Sequence, residues 1–207
     1  MHNTRTLKRV LGSFVVVGVA AAMAGLGTFA TFTSSTSASH TISSGTVSIA
    51  LGATGASTNR LTVGASNVVP GDTIQRSVDL INNGGASADN LSGITLTTTA
   101  SPSSLLDTEA TNGLQMVIEK CSVPWTEAGT APAYTYTCSG TTSTVLASRA
   151  VIGSNMALSN LSSLTTGSTD HLRVTLTLPA AAPNTMQGQT STISYNFVGT
   201  QRVAGSK

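Results

Sequence analysis

A chain of 207 residues that is 40% hydrophobic, 9% charged and 4% aromatic, with a formal net charge of +2, is long enough for one domain with a substantial core. Three of its ten basic residues (Arg5, Lys8, Arg9) precede residue 31 and all eight acidic residues follow it, so the remainder stands at seven against eight, a net −1. That balance leaves no basic stripe and excludes nucleic acid and anionic membrane surfaces as partners.

The first element is an export signal. Arg5, Lys8 and Arg9 stand before the uncharged run Val10–Ala30, which ends in the small residues of Thr28-Phe29-Ala30. A basic start, an apolar centre and small residues at the end describe a secretory signal peptide. The expected cut lies between Ala30 and Thr31. The run of 21 residues also reaches the length of a membrane span. Gly12, Gly18, Gly25 and Gly27 make it weakly apolar, which favours cleavage and leaves no stable membrane partner afterwards. Residues 31–46 are mostly Ser and Thr, with few side chains to bury. Such a segment does not offset its own ordering entropy and is expected to be mobile when alone.

From residue 47 to 207 the dominant pattern is period-2 alternation, the mark of half-buried strands. Val47, Ile49 and Leu51 alternate with Ser48 and Ala50. Ile74, Val78 and Leu80 form the next apolar face, which Arg76 interrupts. Ile94 and Leu96 follow, then Leu114, Met116 and Ile118. The clearest runs come late: Leu172, Val174, Leu176 and Leu178, then Ile193, Tyr195 and Phe197. Pro70-Gly71-Asp72 suits a type II turn, and Asn82-Asn83-Gly84-Gly85 ends the strand before it. Helical period is weak; Ser103–Ala110 and Met156–Leu164 are the two stretches suited to a short helix. Eight to ten short strands in one domain read as an all-β antiparallel sandwich, either jelly-roll-like or immunoglobulin-like.

Cys121 and Cys138 are the only cysteines. In an exported chain, an even pair favours a disulfide, and its spacing is not that of a CxxC redox or zinc motif.

Catalytic motifs are scarce. His40 and His171 lie in no HExxH, and zinc needs three or four N, O or S ligands. Asp170 beside His171 supplies no pair, because adjacent strand residues point to opposite faces. No GxSxG elbow, phosphate loop or dinucleotide fingerprint occurs. Asp107, Glu109, Glu119 and Glu127 read as a solvated face rather than paired catalytic carboxylates. The single tryptophan, Trp125, is either a sugar-stacking platform or a packing partner of the disulfide. On the residues, the reading is of no catalytic group, no metal and no cofactor.

Three pieces in order carry a resemblance: GLGTFATF (Gly25–Phe32) with the Ser/Thr stretch and SGTVSIAL (Ser44–Leu51); NVVPGDTIQRSVDLINNGGASADNL (Asn67–Leu91); and ISYNFVGTQ (Ile193–Gln201). Together they resemble TasA and camelysin, exported bacterial proteins whose signals are cut by a SipW-type signal peptidase. The resemblance implies a jelly-roll sandwich, a place on the cell surface or in the extracellular matrix, and self-assembly into a homopolymeric fibre. It implies that the mature N-terminal segment adds as a strand to the next subunit's sheet. Here that donor maps onto Thr31 to Thr46, with Phe32 and Ile42 as its apolar anchors. It also brings a camelysin-like surface metallopeptidase as an alternative, beside a carbohydrate-binding module.

Overall fold

The structure is a computed structural model that describes residues 33–37, 40–41, 48–85 and 89–202. Its strands are β1 (Thr33–Ser37), β2 (His40–Thr41), β3 (Ile49–Leu51), β4 (Thr73–Asn82), β5 (Leu91–Ala100), β6 (Gln115–Cys121), β7 (Thr126–Ala128), β8 (Thr135–Thr137), β9 (Thr142–Ala150), β10 (Gly153–Ala157), β11 (Thr169–Thr177) and β12 (Ile193–Gln201). One short helix, α1 (Leu105–Thr108), and a 3-10 turn at Asn184–Met186 interrupt them.

Alternation along each strand dictates two layers. β11 buries Asp170, Leu172, Val174 and Leu176 and turns Thr169, His171, Arg173, Thr175 and Thr177 the other way. β12 buries Tyr195, Phe197 and Gly199. The strands fall into two five-stranded antiparallel sheets, ordered β10-β5-β12-β1-β2 and β3-β4-β11-β6-β9, with β7-β8 as a separate hairpin. Their inner faces share one core in which Phe197, Ile94 and Leu96 of the first sheet cluster with Val78, Leu80, Ile118 and Leu172 of the second.

The pairing identifies the topology. Setting aside the short β2 and β3 and the β7–β8 hairpin leaves eight strands, and these pair first with last and then inwards: β1 with β12, β4 with β11, β5 with β10, β6 with β9. That nesting is a long hairpin rolled up on itself, the jelly roll, rather than the immunoglobulin order.

Local chemistry explains the punctuation. Val69–Asp72 closes with Asp72 N–H donating to Val69 O at 3.0 Å, with Gly71 at φ 99°; this is the type II turn its sequence predicts. Ser104 caps α1, accepting from Leu106 N–H while Asp107 reaches back to Ser104 N–H, so the first expected helix exists within Ser103–Ala110. The second does not. Met156 lies in β10, which ends at Ala157, and Leu158–Leu164 turns back towards β5, with Leu91 N–H donating to Leu164 O. Apolar residues two and three apart there fit a strand end and a turn as well as a helix face.

Arg76, which breaks an apolar face in the sequence, is only 5% exposed. Its guanidinium donates to the carbonyls of Val63, Gly64 and Gln75 at 2.7–2.8 Å. Burial lowers its pKa from the ordinary value, and the three carbonyls compensate for the water it loses.

Candidate functional site

Two places are candidates for a functional surface: the seam where β1 meets β12, and the outer face of the β4–β11–β6 sheet.

β12 spans nine residues and pairs with β5 on one side and β1 on the other. Gly199 lets it lie close to its neighbours, since a Cβ there would stand 3.1 Å from a Leu91 methyl and 3.3 Å from Ile49. β1 follows it in regular antiparallel register, Thr33↔Thr200, Ser35↔Val198 and Ser37↔Asn196. Thr33–Ser37 therefore occupies, within its own chain, the position that an added strand would take. The residues of β1 are TSSTS, and such a strand has no apolar side chain to fix its register or anchor it. Ala30 and Thr31 at the expected cut, and Phe32, Ile42 and Thr46 of the expected donor, lie outside the described residues.

The remaining edges are blunted. β10 carries a bulge between Gly153 and Met156, with Asn155 in the left-handed region at φ 50°. The outer edge of β9 is bridged by Ser159 N–H to Val145 O and by Asn160 Nδ2 to Thr144 O. β3 has only three residues. Bulges and short edge strands discourage strand addition.

On the opposite sheet, the chain covers itself. Cys121 and Cys138 form a disulfide, with Cα atoms 5.7 Å apart, and it fastens the base of the segment holding β7 and β8. That hairpin is pinned by charge-assisted contacts. Arg60 makes a two-pronged bond to Glu127 at 2.6 and 2.9 Å, and Tyr136 Oη donates to the same carboxylate at 2.9 Å. Tyr136 N–H donates to Gln75 Oε1, and Arg173 donates to Tyr136 O while pairing with Glu119. Arg60 stacks 4.6 Å from the Tyr134 ring, and Arg173 stacks 4.4 Å from that of Trp125. Trp125 also donates its indole N–H to His171 O at 2.9 Å. One face of the half-buried Trp125 is thus occupied by a guanidinium, and its polar handle by a backbone carbonyl.

Several ionisable groups of the described residues are engaged as structural partners. His171 Nδ1 lies 2.7 Å from Asp79 Oδ1 across the β11–β4 register, so His171 is half-buried and paired rather than exposed. The hydrogen bonds from Arg60, and after them that from Tyr136, hold Glu127 below the usual carboxylate range against the effect of burial. Burial alone raises Asp170, which is 2% exposed, but the N–H groups of Ser163 and Ser162 and the Lys120 ammonium overcome it and keep it low. Asp107 behaves alike: burial raises it, and the hydroxyls of Ser103 and Ser191 with Ser104 N–H bring it below its ordinary value. Of the acids in the sequence cluster, Glu119, Glu127 and Asp107 are committed to an arginine or to serines.

Among the described residues no three of His, Cys, Asp or Glu come together. Both cysteines are in the disulfide and His171 is turned to Asp79. These residues do not make the three- or four-ligand set that zinc requires, and no chemical step follows from them.

Sequence inspection missed the network around Arg173. Its signal was present, because alternation already places His171 and Arg173 on one face of β11, and successive long polar side chains on a sheet face call for partners.

A family model described as camelysin metallo-endopeptidase matches residues 6–206. No curated protein and no solved structure matches the chain.

Proposed function

The chain belongs to the camelysin metallo-endopeptidase family, and on that premise we propose that it is an exported structural protein of the cell surface or extracellular matrix, whose subunits join by exchanging their N-terminal strand. The observation that carries this reading is the placement of β1. Removal of residues 1–30 by a SipW-type signal peptidase leaves a free end two residues ahead of Thr33. The strand that follows has hydroxyls and no apolar anchor, yet it occupies a regular site on a nine-residue partner.

The energetics permit exchange. Ordering five residues costs roughly 5–10 kcal/mol of backbone entropy. Their ladder bonds return about 0.5–1.5 kcal/mol each, and the side chains add little hydrophobic burial. Such a strand sits near balance on its own sheet. The same strand from a second copy makes the same bonds in the same register, so concentration decides between them. Because the donor end and the acceptor edge differ, the contact is head-to-tail and does not close on itself, and a filament results.

Electron microscopy of the chain starting at Thr31, beside its Ser35→Pro variant, tests this. Proline removes a ladder donor from the middle of β1. Fibres are expected from the first and none from the second, with the β-sheet circular dichroism retained. Identical fibres from both contradict strand exchange. The family's name carries the other reading, a surface metallopeptidase. Stoichiometric zinc in the purified protein together with casein cleavage replaces the structural reading by that one.

A further inference from the structure

We propose that residues 122–141 form a lid and that the Cys121–Cys138 disulfide is its latch. When a dithiol reduces the latch, the lid leaves the outer face of the β4–β11–β6 sheet while the sandwich beneath stays folded.

Topology makes the segment detachable. β6 ends at Cys121 and β9 begins at Thr142, and these two residues are register partners. One step out, Ser122 N–H donates to Thr141 O at 2.9 Å, and Thr141 N–H donates to Ser122 Oγ at 3.0 Å. The chain thus leaves the sheet and returns to the same point, so the β6–β9 ladder closes whether or not the lid is docked. No residue of the segment belongs to the core between the sheets, and Tyr136 is its one buried side chain.

The docking is thin. β7 and β8 have three residues each and pair only with one another, so no backbone ladder joins them to the sheet. The bonds that fasten the lid all run through side chains: Arg60 to Glu127, Gln75 to Tyr136 N–H, Arg173 to Tyr136 O, and Trp125 to His171 O. The fit also leaves gaps in polar pairing. Arg173 Nε and Thr175 Oγ1, on successive outward positions of β11, are buried with no hydrogen-bond partner. Burial without a partner opposes closure, because the lost water is not replaced.

The disulfide tips that balance. It ties Cys138, just after β8, to Cys121 on the sheet, so both ends of the hairpin are held at one spot. Cutting it lengthens the free loop and raises the entropy lost on docking. Cys121 is 2% exposed and Cys138 is the more accessible of the two. A thiolate of the dithiol attacks Cys138 Sγ, forms a mixed disulfide and releases the Cys121 thiolate. The second thiol of the reductant then closes its own disulfide and releases Cys138. The dithiol is oxidised by two electrons, and its two protons pass to the two cysteines. Opening parts Arg60 from Glu127 and Arg173 from Trp125, and gives the sheet a polar face that the oxidised chain hides.

Trp125 is the single tryptophan, so its fluorescence reports the lid alone. The chain starting at Thr31 is compared oxidised, reduced with dithiothreitol, and as the Cys121→Ser/Cys138→Ser variant, which needs no reductant to reach the latch. Reduction is expected to shift the emission to the red and to raise acrylamide quenching about twofold, as for an indole that loses its cover. Hydrogen exchange is expected to rise across residues 123–140 while β11 and β12 stay protected. The variant is expected to match the reduced chain. Fluorescence and lid exchange unchanged in the variant, or in the chain once two thiols titrate, overturn the proposal. Loss of protection throughout the sandwich overturns it as well, because the latch then holds the whole fold. These outcomes leave strand exchange untouched, since β1 lies on the other sheet.

Discussion

The two sheets of this jelly roll are built from different chemistry. The β3-β4-β11-β6-β9 sheet carries Arg76, Asp79, Glu119, Lys120, Arg149, Asp170 and Arg173 within its strands, whereas the β10-β5-β12-β1-β2 sheet carries none of the four charged types. The first has its outer face closed by the chain itself, through a disulfide, a hairpin and stacked guanidinium groups. The second keeps a plain hydroxylated face, and beside β12 holds β1, a strand without an apolar residue. On the proposed reading, stability and assembly are separated onto opposite sides of one core. Disturbing the covered sheet changes how firmly the monomer folds; disturbing the plain sheet changes what the monomer does with its neighbours.

The largest effect expected from that division is loss of the disulfide. Replacing Cys121 and Cys138 by serine removes a crosslink spanning 17 residues, worth about 3 kcal/mol in the chain-entropy model. Chemical denaturation is expected to show this loss with fibre formation preserved. Fibres lost while the fold survives break the separation.

Acid is expected to act next, again through the covered sheet and the helix cap. Glu127, Asp107 and Asp170 all have folded-state values depressed below their ordinary 4.5, 3.8 and 3.8. A depressed carboxylate contributes stability that is complete above its unfolded value and is lost as pH falls through the folded one. The urea midpoint is therefore expected to be level from neutral pH down to about pH 5 and to decline below about pH 4. A midpoint unchanged at pH 3 contradicts the pairing described for these three groups.

The smallest stability effect belongs to Ser35→Pro. β1 near balance on its sheet predicts a change below about 1 kcal/mol in the monomer, measured by the same denaturation. A loss larger than that of the disulfide reverses the comparison.

Much of this architecture is legible in the residues. The alternation of Leu172, Val174 and Leu176, and of Tyr195 and Phe197, defines β11 and β12 because each of those strands buries one face. Pro70-Gly71 marks its turn because only glycine tolerates that φ without strain. The disulfide follows from an even pair of cysteines. Other features depend on partners far along the chain. Arg76 reads as an interruption until Val63 and Gly64 bring carbonyls to it. His171 shows no partner in the sequence until the register sets it opposite Asp79. The β7–β8 hairpin has strands of three residues each, too short for a period to show. β1 is the extreme case: TSSTS has no alternation at all, so its residues alone do not mark a strand, and only the family resemblance and the backbone pairing do.

That strand is also where the central claim is tested most directly. Ser35 and Val198 are paired across β1 and β12, at a separation suited to a disulfide. In a Ser35→Cys/Val198→Cys chain assembled into fibres and then oxidised, strand exchange predicts a ladder of covalent multimers on a non-reducing gel, collapsing to monomer on reduction. A single monomer band, with the new disulfide closed within each chain, contradicts it.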